Sequence, residues 1–447
     1  MAKPKLFGTD GIRGIANIDL TPELAFRLGE AVVKYLSDDG SSKFVVGRDT
    51  RRSGTMLQSA LIAGITSAGG DVLLASMIPT PAVAYLTKRL KADGGIVISA
   101  SHNPPEHNGL KVFSREGFKL PDDLEGLIEV YLNTTTTFMR PRGDQIGQLT
   151  HIDDATAHYV HHTTDAFDPG CLQGLRIALD CAHGASAISS PKAFELLGAE
   201  VTAINTDYNG DDINVECGST HMEGLQELVC SGDFDMGIAH DGDADRVLAV
   251  DENGEIVDGD RIIAIIARHM KENGTLDNDT VVSTVMANLG FEKAMDELGI
   301  QTVKTKVGDR YVLEQMLTQD TNLGGEQSGH IILLDHNTTG DGLLVALKLA
   351  DIVAQTGKTL SELGEVMTQY PQIMINVPVA NKQHLVASAR LRNAIDEAEQ
   401  RLGDQGRVLV RASGTESLVR VMAEAASFEE ARAIVEELVE VVKEELN

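Results

Sequence analysis

Three α/β domains of related plan, with mixed and mostly parallel sheets, followed by a smaller C-terminal α+β domain: this is the fold class the 447-residue sequence predicts. Three observations carry the prediction. A strand–helix–strand pattern recurs three times along the chain. Each recurrence is followed by a further apolar strand that runs into a polar turn. From about residue 371 onward that pattern stops.

In the first repeat an apolar strand at 44–46 leads into Gly47-Arg48-Asp49, a helix opens at Ser53, and Gly69-Gly70 precedes a second strand at 72–74. In the second, 175–179 leads to Asp180-Cys181-Ala182-His183-Gly184, a helix runs through Leu197, and a strand at 201–204 follows Gly198. In the third, 281–285 leads to Ala287-Asn288, a helix runs through Leu298, and a strand at 301–305 follows Gly299. The additional strands are 95–100, 236–239 and 323–325. They end in Ser101-His102-Asn103-Pro104, His240-Asp241-Gly242-Asp243 and Glu326-Gln327-Ser328-Gly329-His330. Strands alternating with helices of this length form largely parallel sheets. The tail reads as a strand at 373–379, a helix at 385–402, strands at 407–410 and 418–423 around a Ser413-Gly414-Thr415 turn, and a terminal helix. Ser427-Phe428-Glu429-Glu430 is a capping box opening that helix. The domains are therefore 1–155, 156–256, 257–370 and 371–447.

Composition narrows the function. There are 38 basic against 67 acidic residues, a formal charge of −29, so the surface repels nucleic acid and anionic membranes. An anionic substrate then needs a local basic island. No apolar run approaches the roughly 18 residues of a membrane span, and the N-terminus lacks an apolar leader with a cleavage site; a soluble, cytoplasmic protein is expected. Cys171, Cys181, Cys217 and Cys230 have no C-x-x-C spacing and are expected to be buried free thiols.

Several segments carry chemistry. Ser101 follows an apolar strand and precedes Pro104-Pro105, which stiffen the loop; with His102 adjacent and Lys111 and His107 downstream it is a candidate nucleophile. The absence of a G-x-S-x-G elbow argues against acyl transfer. Asp241, Asp243 and Asp245 alternate, so three hard oxygen ligands can converge on one divalent cation. A calcium EF-hand is the rival, since Glu252 falls at loop position twelve, but Arg246 replaces the required glycine and the flanks are β-like, which favours Mg²⁺. Anion-binding character is expected in Gly8-Thr9-Asp10-Gly11-Ile12-Arg13-Gly14, Gly47-Arg48-Asp49-Thr50-Arg51, Lys304-Thr305-Lys306-Val307-Gly308-Asp309-Arg310 and Arg411-Ala412-Ser413-Gly414-Thr415-Glu416. Gly357-Lys358-Thr359 imitates a Walker A ending but has Ile352 where the motif needs glycine. His158, His161 and His162 lack a third metal ligand.

Four of these loops, in order and across essentially the full chain, resemble those of the α-D-phosphohexomutase superfamily: Ser99-Ala100-Ser101-His102-Asn103-Pro104, Asp241-Gly242-Asp243-Ala244-Asp245-Arg246, Gly325-Glu326-Gln327-Ser328-Gly329-His330 and Arg411-Ala412-Ser413-Gly414-Thr415-Glu416. Phe7-Gly8-Thr9-Asp10-Gly11-Ile12-Arg13-Gly14, Gln327 and Gly414-Thr415-Glu416 are most similar to the branch acting on glucosamine phosphates, and Ser99 stands where relatives often carry Thr. The resemblance implies an isomerase with a TATA-binding-protein-like fourth domain and a central cleft, which converts glucosamine 6-phosphate to glucosamine 1-phosphate through glucosamine 1,6-bisphosphate and feeds amino-sugar and cell-wall precursor synthesis. It implies phosphorylation of Ser101, and one Mg²⁺ held by Asp241, Asp243, Asp245 and that phosphate. Lys111 and His102 become candidates for proton transfer, supported by Arg13 and His330, with Lys111 as a pure neutraliser of phosphate left open. Substrate contacts are expected from Arg246, Lys304, Gly308, Asp309, Arg310, Glu326, Ser328, His330, Arg411, Ser413, Gly414, Thr415 and Arg420, with Gln327 near the amine. A homodimer through the first domain is also implied. The alternatives are phosphomannomutase/phosphoglucomutase activity on an unsubstituted hexose phosphate, or a silent sugar-phosphate sensor, for which intact nucleophile and metal loops are superfluous.

Overall fold

A computed structural model describes residues 6–446, except 9, 38–41, 135–139, 382–383, 386 and 414–417. The chain divides into two compact units, Met1–Met286 with Ile300–Val366, and Ala287–Gly299 with Met367–Asn447.

The described residues of the first unit form three sheets. The first contains β1 (Phe7–Gly8), β2 (Gly11–Ile15), β3 (Lys43–Arg48), β4 (Asp71–Met77), β5 (Gly94–Ile98), β6 (His107–Ser114) and β7 (Leu149–His151), in the order β1-β2-β6-β5-β3-β4-β7. The second contains β8 (Arg176–Asp180), β9 (Glu200–Ile204), β10 (Met236–His240), β11 (Val247–Val250) and β12 (Ile256–Val257), in the order β12-β11-β10-β8-β9. The third contains β13 (Thr280–Thr284), β14 (Gln301–Thr305), β15 (Leu323–Gly325) and β16 (Ile331–Leu333), in the order β14-β13-β15-β16.

The repeat read from the sequence is thus a repeat of topology. In each sheet three parallel strands lie in the order third, first, second: β5-β3-β4, β10-β8-β9 and β15-β13-β14. An antiparallel partner then closes on the third: β6 on β5, β11 on β10 and β16 on β15. The third strands are apolar and buried along their whole length, as in Gly94–Ile98 and Met236–His240, because helices cover parallel strands on both faces. The bend that follows each of them leaves the sheet at its carboxyl edge, where open α/β sheets offer room for ligands. Those three bends are 99–106, 241–246 and 326–330, the loops the sequence singles out. The metal-type loop is flanked by strands on both sides, as the β-like pattern predicts.

The second unit has one antiparallel sheet of β17 (Gln372–Pro378), β18 (Arg407–Ala412) and β19 (Leu418–Glu424), ordered β17-β19-β18. The helices Ala389–Leu402 and Phe428–Leu446 bury Leu391, Leu402, Val435 and Val442 against it. Glu430 N–H donates to Ser427 Oγ at 3.2 Å, the forward half of the expected capping box. The helix Leu289–Glu297 belongs to this unit, its first N–H donating to the buried Glu424 carboxylate at 2.8 Å.

All four cysteines are free thiols, and burial pushes Cys181 and Cys217 upward. Cys171, half-buried, and Cys230 correct the expectation of burial: Cys230 is exposed at the end of the helix Glu223–Ser231, whose apolar face is carried by Leu225 and Val229. His162 stacks on Tyr85 at 3.8 Å and meets the His336 carbonyl, so it packs rather than ligates. Among the described residues, no helix is long and apolar enough to cross a membrane.

Candidate active site

The first bend presents Ser101, whose backbone is left-handed at φ +53°. A residue with a Cβ pays for that conformation and keeps it only when its surroundings hold it there. Here Ser101 N–H donates to Ser99 Oγ at 2.9 Å, and Ser99 Oγ donates to Asp49 Oδ2 at 2.6 Å. The Ser101 hydroxyl lies 2.5 Å from Asp241 Oδ2 and 3.2 Å from His102 Nδ1. Two expected residues are therefore on the hydroxyl itself.

The second bend brings Asp241, Asp243 and Asp245 together, with one oxygen from each within 4.8 Å of the others. Ala244, in a left-handed turn at φ +54°, lets the alternating carboxylates converge. The loop is fixed by three backbone donors from other segments: Ala185 N–H to Gly242 O, Thr80 N–H to Asp243 O, and Gly342 N–H to Ala244 O, all at 2.9–3.0 Å. Asp243 Oδ1 and Asp245 Oδ1 are buried without a hydrogen-bond partner among the described residues. Orphaned hard oxygens in a buried acidic cluster fit a divalent cation, which would satisfy them and offset the repulsion. Burial, with Asp245 and Asp243 nearby, pushes the Asp241 carboxyl well above the usual range.

A cation already stands beside this cluster. Lys111 on β6, 1% exposed, donates to Asp243 Oδ2 at 2.8 Å and Asp245 Oδ2 at 2.9 Å and lies 3.1 Å from Asp10. Burial alone would lower its pKa, but the three carboxylates outweigh burial and hold it well above the ordinary lysine value. The same balance appears in reverse at Asp245, where Lys111 and His330 overcome burial and keep the carboxyl well below its usual range. His102 behaves oppositely: burial, then Arg246 and Arg13, lower it to about 4, so it is neutral at pH 7. Arg13 reaches Asn103 Oδ1 at 3.2 Å and pairs with Asp10. His330 lies 3.7 Å from Asp245 and 3.6 Å from Asp309, which outweigh burial and hold its pKa above the ordinary histidine value, and Gly340 N–H lies 3.2 Å from its Nε2, which turns Nδ1 toward Asp245.

The third bend carries Glu326, Gln327 and Ser328, all half-buried. Glu326 Oε1 accepts from Gly308 N–H at 2.9 Å, and Ser328 Oγ is buried without a partner among the described residues. Gln327 turns its amide N–H toward Asp258 Oδ2 at 3.3 Å. Arg246 follows the metal-type loop, its backbone N–H donating to Asp241 Oδ1 at 3.2 Å. Lys304 is exposed on β14. Asp309 pairs with Lys119. Arg310 does not join this group: its guanidinium is engaged by Asp122, Glu125 and the Leu120 carbonyl, which makes it a tie to the helix Asp122–Asn133. Arg51 likewise offers no anion site, because each N–H of its buried guanidinium already meets an Asp49 oxygen or a loop carbonyl. In the second unit, Arg411 and Arg420 face each other in register across β18 and β19, and Ser413 N–H donates to Leu418 O at 2.9 Å. Gly414 and Thr415 lie outside the described residues.

Sequence reasoning missed several groups that complete the network. Asp10 binds Arg13, Lys111 and Lys119 together; Lys119 joins Asp10 to Asp309; Thr80 donates to Asp243 Oδ2 at 2.5 Å. Asp10 lay inside a segment marked for anion binding, whereas nothing local marks Thr80 or Lys119.

A serine hydroxyl in a metal-ready carboxylate cluster, on three repeated α/β modules, defines a phosphoryl-transfer enzyme of one known kind. Residues 4–138, 157–254, 258–370 and 374–441 match domains I, II and III and the C-terminal domain of phosphoglucomutase/phosphomannomutase. A phosphoglucosamine mutase from Carboxydothermus hydrogenoformans is 52% identical over 441 residues, covering 98% of this chain and 99% of that one. One from Brevibacillus brevis is 50% identical over 450 residues, covering 99% of each. A solved phosphoglucomutase/phosphomannomutase family protein from Burkholderia thailandensis superposes with a TM-score of 0.84 at 25% identity, covering 100% of this chain and 99% of its own. The chain belongs to the phosphoglucomutase/phosphomannomutase family and, within it, to the phosphoglucosamine mutases.

Proposed function

We propose that the protein is an isomerase that interconverts glucosamine 6-phosphate and glucosamine 1-phosphate, with glucosamine 1,6-bisphosphate as the intermediate. The observation that carries the transfer chemistry is the Ser101 hydroxyl at 2.5 Å from a carboxylate of the Asp241, Asp243, Asp245 cluster. The amino-sugar substrate is supported by identity of about one half, over nearly the whole chain, to phosphoglucosamine mutases.

In this reading Ser101 carries the phosphoryl group. A sugar hydroxyl oxygen forms the new P–O bond, the bond from phosphorus to Ser101 Oγ breaks, and the hydroxyl proton leaves to a base. Asp241, Asp243 and Asp245 would hold Mg²⁺, which when bound neutralises charge on the transferring group. His102, neutral and 3.2 Å from Ser101 Oγ, and Lys111 are the groups placed to handle the proton. Glu326 and Ser328 suit paired ring hydroxyls, and Arg411 with Arg420 suits a phosphate, since like charges opposed on adjacent strands favour an anion between them. The intermediate then returns its other phosphate to Ser101.

We infer a cytoplasmic enzyme and a homodimer through residues 1–155, for which sedimentation is the check. The function is tested by intact mass before and after phosphatase, and by a coupled assay comparing kcat/KM for glucosamine and glucose phosphates. No turnover of glucosamine 6-phosphate by the phosphorylated protein would overturn the assignment, and a preference for the glucose phosphate would move it to the hexose branch.

A further inference from the structure

The Ser101 carbonyl is gripped from two sides. Arg51 Nη2 donates to it at 3.0 Å and Asn214 Nδ2 at 2.8 Å. The same two nitrogens also reach the Asn103 carbonyl, at 2.7 and 3.1 Å. Arg51 spends its remaining N–H groups on Asp49 Oδ2 at 2.9 Å and on the carbonyls of Pro104 and His107. Arg51 is fully buried and Asn214 is 7% exposed. The Asn214 amide has only one workable orientation, because a flip would aim its oxygen at two carbonyl oxygens.

From this geometry we infer that Arg51 and Asn214 are positioning residues for the nucleophile: they hold the Ser101 peptide in its left-handed conformation and thereby aim Oγ at the acidic cluster. The two come from different modules. Arg51 follows β3 in the first, and Asn214 lies between β9 and β10 in the second, whose bend carries the metal-type loop. A Cβ at Gly242 would lie 2.8 Å from the Ser101 oxygen and 2.9 Å from Asn214 Nδ2, so glycine is required for this junction to close. Nucleophile and acidic loop therefore share one anchor, and their separation is set by hydrogen bonds to a carbonyl rather than by the sugar. In-line transfer is sensitive to such placement, an error of ~1 Å costing on the order of 100-fold in rate.

The inference rests on the phosphoryl-transfer reading, and the experiment separates the two. Wild type, Asn214→Ala, Asn214→Asp and Arg51→Lys are dephosphorylated. Uptake of phosphate from glucose 1,6-bisphosphate is followed by intact mass, alongside kcat, KM and thermal unfolding. Asn214→Ala removes the donor and puts no ionisable group into the buried junction, so it reports on the hydrogen bond even where Arg51→Lys fails to fold. Expected for both Asn214 variants is a loss of about tenfold or more in phosphate uptake and kcat, with KM within about twofold and cooperative unfolding retained. Uptake and kcat within about twofold of wild type in folded Asn214→Ala would overturn the positioning role. Failure of the wild type itself to take up phosphate would instead overturn the phosphoserine reading.

Discussion

At the scale of single residues the site is a balance of buried charge, and two side chains test it. Ser101→Ala removes the hydroxyl bonded to Asp241; it is expected to abolish mutase turnover and the phosphatase-sensitive mass, measured by coupled assay and intact mass. Lys111→Met strands Asp10, Asp243 and Asp245 without their shared cation, and breaking a buried pairing of this sort costs about 3–5 kcal/mol. Denaturant unfolding should show that loss, and Mg²⁺ should restore more stability to the variant than it adds to wild type. An unchanged midpoint would mean the lysine is not the counter-ion of the cluster. Ser101, His102 and the three aspartates were legible because they are packed into two short motifs. Thr80, Lys119 and Asn214 were not, since each acts on a partner 90 or more positions away and nothing in its local sequence records that distance. Arg310 shows the converse: a basic residue beside glycine reads as an anion ligand until the acidic helix that claims it is in place.

At the scale of elements the working unit is the bend between a buried third strand and its antiparallel partner. Its tolerance is small where bends touch. Gly242→Ala would push a methyl into the Ser101 carbonyl and the Asn214 amide, and overpacking of this kind costs ~1–3 kcal/mol. We expect a lower unfolding midpoint and a larger fall in kcat than in substrate affinity; the reverse pattern would place the strain away from Ser101. In the C-terminal sheet, Arg411→Ala should raise KM for the sugar phosphate by about tenfold or more, the loss of one charge-assisted hydrogen bond worth ~1.5–3 kcal/mol. A KM equal to wild type would remove Arg411 from the binding set. Strand and helix order were readable from periodicity and from Gly-bounded turns, because a buried parallel strand and its covering helix leave distinct apolar patterns. The assignment of the helix Leu289–Glu297 to the C-terminal unit was not, since its contacts to Glu424 and Tyr370 cross a long stretch of chain.

For the whole molecule, metal and stability are linked. A cation that binds the folded chain only, at 100 times its dissociation constant, adds about 2.7 kcal/mol. Removing divalent ions with EDTA should therefore lower Tm as well as stop turnover, and Asp243→Asn should blunt the Tm response to Mg²⁺; a Tm indifferent to EDTA would count against the acidic cluster as the metal site. The threefold recurrence of one strand order has a consequence for descent and for engineering. In the proposed function donor, metal and sugar chemistry each occupy a separate bend on equivalent scaffolds, so each bend would be a cassette. Copies of one ancestral module can diverge at one cassette while the others stay under selection for transfer. A graft confined to 326–330 should then retune which sugar is accepted without disturbing the serine proposed to carry the phosphate.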